Sequence, residues 1–207
     1  MGQEQPRPAL AAGDAEGVQR IRQRLRLVHR AQAFERRIEI GRAGDLAARF
    51  PHVVLGPGDD CAVVRGSPGV DVLLTVDQLV EHRHFTSDTP VDLIARKGVA
   101  RSISDIAAMA GTPAWSLATG LLPEGYPHAR ELTDALHRCA EHWGAPMVGG
   151  DIAVGPRGSP LVLTVTVGGG VHARRGPVTR DAARPGDEVW VTGDLGGSLA
   201  SGRHLTF

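Results

Sequence analysis

A chain of 207 residues with 42 % hydrophobic side chains can bury a core, and its formal net charge of zero excludes the broad basic surface of a nucleic-acid binder. Aromatic residues supply only 4 %, so the core must come from Ala, Val, Leu and Ile, while 27 glycines and 14 prolines predict many tight turns. No apolar run approaches the roughly 20 residues of a membrane span, the N-terminus carries no secretory apolar core, and the sequence reads as a soluble, cytoplasmic protein.

Residues 1–42 predict a flexible basic extension. Arg20, Arg22, Arg24, Arg26, Arg30, Arg36 and Arg37 lie in it, within a stretch over 17–37 that could form a helix. The two-residue spacing of the first four does not gather them on one helical face, so a solvated arm is preferred to a nucleic-acid or membrane role. Lys97 is the one lysine among 23 basic residues, which leaves 23 − 1 = 22 arginines and points to Arg-favouring codon usage. Cys61 and Cys139 form no metal-ligand pattern, and two buried free thiols are expected.

Folded structure is expected from residue 43 to 178, with a second domain starting at 179. Ala43 to Phe50 reads as a short helix and Val53-Val54-Leu55 as an apolar, β-branched run. Cys61–Val64 and Val72–Val76 read as strands separated by the turn signal Gly66-Ser67-Pro68-Gly69, with Asp77 closing the second strand. Pro90 fits the first turn of a helix that runs to Met109. Trp115–Leu121 reads as a strand, Arg130–Trp143 as a helix, and Pro146-Met147-Val148 as a strand-like run ending at Gly149-Gly150-Asp151. Leu161–Val167 is a β-branched strand, and Gly168-Gly169-Gly170 reads as a loop. A further strand is expected over 188–192, followed by a glycine-rich loop and a helix from Ser198. Hairpin-like strands followed by alternating strands and helices favour an α+β or α/β layered fold.

The strongest local signal is Gly56-Pro57-Gly58-Asp59-Asp60. Adjacent carboxylates on a sharp turn repel unless a cation neutralises them, and Mg²⁺ is commonly held by one or two carboxylates plus substrate phosphates. Alone, the motif is better explained as an Asp-rich surface turn. However, Asp77, Asp105 and Asp151 each interrupt or end another apolar element. Carboxylates converging from several elements on metal ions are a recurring solution for phosphoryl transfer. The chain has no P-loop, protein-kinase or nucleophile-elbow motif. His82 and His84 have no third ligand at zinc spacing.

Several segments, taken together and in order, resemble thiamine-monophosphate kinase, a family of the aminoimidazole ribonucleotide synthetase-like superfamily. They are Gly58–Val63, Thr75–Glu81, His84-Phe85, Lys97, Ser102–Met109, Gly149–Asp151, Thr179-Arg180 and Arg184–Asp187. The resemblance implies an N-terminal mixed sheet covered by helices, able to pair into a dimeric barrel, followed by the start of a second α/β domain. It also implies ATP-dependent phosphorylation of thiamine monophosphate to thiamine diphosphate by direct transfer, with several Mg²⁺ ions. Carried over by position, Asp60, Thr75, Val76, Asp77, Asp105 and Asp151 would hold metal, with Val76 offering its backbone carbonyl. Gly150, Asp151 and Arg180 would contact ATP, and His84 the thiamine substrate. Asp59 and Lys97 are additional candidates, Lys97 as a partner of the acidic cluster or of phosphate, or equally as a solvated helix residue. The implied partners are thiamine monophosphate, ATP and a second copy of the chain, without nucleic acid or membrane.

Three departures stand out. Val76 replaces a hydroxyl residue and Ser102 replaces Asn. No later Ser-Asp-Gly-like motif follows, so a C-terminally shortened enzyme is expected. A non-catalytic Mg-nucleotide-binding relative and another enzyme of the superfamily are the alternatives.

Overall fold

A computed structural model describes residues 46–188. Contacts divide the chain into residues 1–44 and 45–207, and the first of these units lies outside the described residues. So do the basic stretch over 17–37, the helix from Ser198, and all but the first residue of the strand expected over 188–192.

The described part is one six-stranded sheet with helices on one face. In chain order it runs α1 (Leu46–Arg49), β1 (Val53–Leu55), β2 (Ala62–Ser67), β3 (Val70–Val80), α2 (Val91–Ala108), β4 (Thr112–Pro123), α3 (Ala129–His142), β5 (Met147–Gly155) and β6 (Val162–Gly170). A 3₁₀ turn spans Arg180–Ala182. The strand order is β1-β2-β3-β6-β4-β5. Only β4 and β5 pair in parallel, and α3 makes the crossover that such a pair needs. The sheet is therefore mixed and covered by helices, and it is open rather than closed on itself.

Helix α2 forms because Ile94, Ala95, Val99, Ser102 and Ile106 recur on one stripe and are all buried. Pro90 caps the helix from outside its first turn, so the proline lies one position earlier than the first helical residue. Helix α3 buries Leu132, Ala135, Leu136 and Ala140. These two helices meet Leu79, Leu122 and Leu163 of the sheet in one core cluster. A second cluster joins Cys61, Val63 and Leu73 to Ile106, Met109, Val165 and Val167. Cys61 is buried and Cys139 half-buried, both as free thiols.

Three boundaries differ from the sequence expectation, each for a tertiary reason. Asp77 does not end its strand, because β3 pairs with β6 without a break from Val72↔Gly170 to Val80↔Val162. Asp151 sits in the middle of β5, opposite Thr119 of β4. Gly168 to Gly170 are strand residues rather than a loop. The indole of Trp115 fills the space above Gly168, where an added Cβ would lie 2.1 Å from Trp115 Cζ2. A run of glycines here reflects a large neighbour, not chain freedom.

Strand alternation sorts the sheet into two faces. Leu73, Thr75, Asp77 and Leu79 face the helices. Leu74, Val76 and Gln78 face the other way, beside Thr166 and Thr164 of β6 and Leu117 and Thr119 of β4. Among the described residues this second face has no covering element, and Val76 is 60 % exposed.

A candidate active site at the carboxylates of β3 and α2

The turn before β2 builds one wall of the site. Gly58 takes φ +133°, a conformation that L side chains rarely adopt. The two carboxylates that follow have different environments. Asp59 is tucked in, its side chain 8 % exposed. One of its oxygens accepts the Asp60 N–H at 2.8 Å, and the other accepts the Arg180 N–H at 3.0 Å. Asp60 faces outward and accepts a hydrogen bond from Arg180 Nη2. Asp59 thus ties the 180 segment to the turn.

The other wall comes from β3 and α2. Thr75 Oγ1 donates to Asp105 Oδ2 at 2.7 Å. Arg101, one helical turn before Asp105, donates from Nη2 to Asp77 Oδ1 at 2.9 Å. Burial raises the pKa of Asp105; the Thr75 hydrogen bond and Arg101 oppose the rise, while the like charges of Asp77 and Asp60 add to it. Asp60, Asp77 and Asp105 therefore share one electrostatic neighbourhood. Cys61 lies beneath them. Burial, then Asp105, Asp60 and Asp59, push its thiol up to about 12, which makes it an inert core group.

His84 sits in the tight turn after β3, where His82 adopts a positive φ of 62°. Glu81 holds this turn to β6 by accepting the Leu161 N–H at 2.8 Å. The Val80 N–H donates to His84 Nδ1 at 2.9 Å, so the neutral ring carries its proton on Nε2. Burial and the nearby Arg101 lower the His84 pKa, which favours that neutral ring. Lys97 Nζ donates to the His84 carbonyl at 2.7 Å. Burial and Arg101 lower the Lys97 pKa as well.

Not every candidate joins this group. Asp77 lies in the row Asp77–Val165–Ala118–Gly150, on the helix side. Asp151 lies in the neighbouring row Gln78–Thr164–Thr119–Asp151, on the open side. Three strand spacings separate them, about 14 Å, so one copy of the chain does not bring Asp151 to Asp77. Val76 also points its side chain to the open side. Gly150 is demanded by the sheet itself, since a Cβ there would lie 2.0 Å from the Ala118 carbonyl oxygen. Gly150 and Asp151 do line a cavity of about 470 Å³ together with Leu132 and Leu136 of α3.

The donor set is hard: carboxylates and a hydroxyl, which suit Mg²⁺. Among the described residues no three carboxylate, His or Cys side chains close into a finished cage. Asp60 is turned toward Arg180 and Asp77 toward Arg101.

Residues 58–171, 114 of the 207, match the family described as AIR synthase related protein, N-terminal domain. The chain belongs to the AIR synthase related family. Among curated proteins it is 36 % identical over 150 residues to thiamine-monophosphate kinase of Salmonella typhimurium, covering 72 % of this chain and 44 % of that one. It is 39 % identical over 153 residues to thiamine-monophosphate kinase of Mycobacterium tuberculosis, again 72 % and 44 %. The solved structure of AaThiL complexed with AMPPCP and TMP aligns with a TM-score of 0.56 at 26 % identity, covering 68 % of this chain and 42 % of that one. The chain spans less than half the length of these relatives.

Within this AIR synthase related domain, sequence reasoning missed Arg101. The signal was present: Lys97, Arg101 and Asp105 are spaced four apart and share one helix face. The pairing of Asp59 with the Arg180 backbone had no sequence signal, because the two are 121 positions apart.

Proposed function

We propose that this chain carries the N-terminal part of an ATP-dependent thiamine-monophosphate kinase, which transfers the γ-phosphoryl group of ATP directly to thiamine monophosphate. The observation that carries the reading is the Asp60, Asp77 and Asp105 group with Thr75, inside a segment over one third identical to curated thiamine-monophosphate kinases. Direct transfer asks a protein for alignment and charge neutralisation rather than a covalent intermediate. Asp60, Thr75, Asp77, Asp105 and the Val76 carbonyl would hold Mg²⁺, which when bound neutralises charge on the transferring phosphates. No acid or base residue is assigned.

His84 presents an Nε2–H donor to the thiamine substrate, and Lys97 fixes the backbone that carries it. Arg180 contacts ATP from the segment that Asp59 anchors. Gly150 and Asp151 serve the nucleotide from the far side of the sheet. Asp151 faces the uncovered side, where Val76 and Leu117 are exposed apolar groups. We assign that side to a second copy of the chain, giving a homodimer whose interface includes Asp151. The reading places the protein in the cytoplasm with its ATP supply; no helix of the described residues is long and apolar enough to cross a membrane.

A coupled ADP-release assay with thiamine monophosphate, Mg²⁺ and ATP tests the reading. Turnover that depends on thiamine monophosphate is the expected result. Nucleotide binding by calorimetry with no turnover at high protein concentration would reject the kinase assignment for this chain and favour a Mg-nucleotide-binding role. A monomeric mass by light scattering would reject the dimer.

A further inference from the structure

We propose that Arg101 is a built-in counter-ion which competes with a divalent cation for Asp77, so that this chain's site holds its metal more weakly than its carboxylates suggest. The inference rests on the phosphotransferase reading and refines it. Four carboxylates cluster here, Asp59, Asp60, Asp77 and Asp105, and two guanidinium groups reach them, Arg180 and Arg101. The formal balance is −4 + 2 = −2, the charge of one divalent cation.

The two arginines are not equivalent. Arg180 lies at the exposed rim, on a 3₁₀ turn held by its own backbone N–H to Asp59. Arg101 comes from the middle of α2, its side chain 37 % exposed against 47 % for Arg180. Its Nη2 donates to Asp77 Oδ1 at 2.9 Å, while its Nε is buried without a hydrogen-bond partner. Asp105 follows one turn later and attracts the guanidinium, while Lys97, one turn earlier, donates to the His84 carbonyl. An arginine cannot be deprotonated at any working pH, so its charge is permanent, unlike a metal that comes and goes. A cation approaching Asp77 must displace an existing hydrogen-bonded charge and meets a positive neighbour. Asp105 accepts the Thr75 hydroxyl and lies beside the like charges of Asp77 and Asp60, which makes it the stronger anchor for an ion.

Mn²⁺ binding to the full chain, followed by calorimetry and by electron paramagnetic resonance counting of free ion, tests this. Arg101→Gln should bind Mn²⁺ about tenfold tighter than the parent, or take up one more ion, because a repelling unit charge is gone. Arg101→Lys keeps the charge and should behave as the parent. Asp77→Asn should weaken Mn²⁺ binding less in the parent than in the Arg101→Gln background, where it should abolish the gain, a non-additivity that a purely structural arginine would not produce. Identical Mn²⁺ isotherms for the parent and Arg101→Gln would overturn the proposal. So would equal losses from Asp77→Asn in both backgrounds. Failure of the broader reading looks different: no Mn²⁺ would bind to the parent or to any variant, with or without ATP.

Discussion

Asp105→Asn should make the chain more stable and its ligand binding worse, and both effects can be read in one set of melting curves. Asp105 is crowded by the charges of Asp77 and Asp60 and partly desolvated, which raises its pKa. Asparagine keeps an oxygen for the Thr75 hydroxyl and removes the charge. The cluster keeps an open side toward water, so relief of repulsion is worth on the order of 1 kcal/mol, or about 2–4 °C for a chain of this size. Loss of a carboxylate ligand should weaken Mg-nucleotide binding at least about tenfold, which removes about 1.4 kcal/mol of ligand-linked stabilisation under near-saturating conditions. Differential scanning fluorimetry with and without Mg²⁺ and a non-hydrolysable ATP analogue measures both terms. The melting temperature of the variant should be higher without ligand, and its ligand-induced rise smaller. The sign of the pH dependence is also fixed. A carboxyl whose pKa is raised on folding destabilises the fold while ionised, so the variant's advantage should be full near neutrality, shrink as pH falls through the raised pKa, and vanish below the ordinary value of 3.8. A variant that melts lower at neutral pH, or one with an undiminished ligand shift, would refute the reasoning.

Ser102→Ala removes a fully buried hydroxyl that donates to the Val165 carbonyl at 2.8 Å, and should cost about 1–3 kcal/mol in urea unfolding. Gly168→Ala drives a methyl into the Trp115 indole and should cost about 1–3 kcal/mol, accompanied by a changed near-ultraviolet circular dichroism spectrum. Cys61 should resist a thiol reagent at pH 8 until the chain is unfolded. Because its folded pKa of about 12 exceeds the ordinary 9.0, stability should fall as pH climbs above 9. Val76→Asp places a charge on the uncovered face and should convert a dimer to a monomer in light scattering without loss of helical signal.

Much of the fold was legible because it depends on local pattern. The α2 stripe, the hairpin glycines at 66–69 and the β-branched run before Gly168 each carry their own signal. Asp77 and Asp105 could be nominated because each interrupts or ends an apolar run, whereas Thr75 was implied only by the resemblance. What could not be read was partnership across long separations. Whether Asp77 and Asp151 belong together depends on the strand order, and β6 and β4 lie between their strands. Likewise, the glycines at 150 and 168 look alike in sequence, yet one answers to a carbonyl and the other to an indole. Arg101 was passed over because a basic residue on a helix is ordinarily a solvated one, and only its opposite number on β3 gives it a different meaning.

The position of β5 at the end of the strand order has a consequence for handling the protein. Among the described residues its outer edge has no partner, and it carries Val148, Ile152 and Val154, exposed by 67 %, 54 % and 69 %. Such an edge is a template for strand addition, and addition to the opposite edge strand, β1, of another copy would be head-to-tail, able to grow without closing. Pairing through the uncovered face would instead stop at two. Concentrated samples should therefore separate into a dimer and a polymerising fraction, and a lysine at position 154 should suppress only the second.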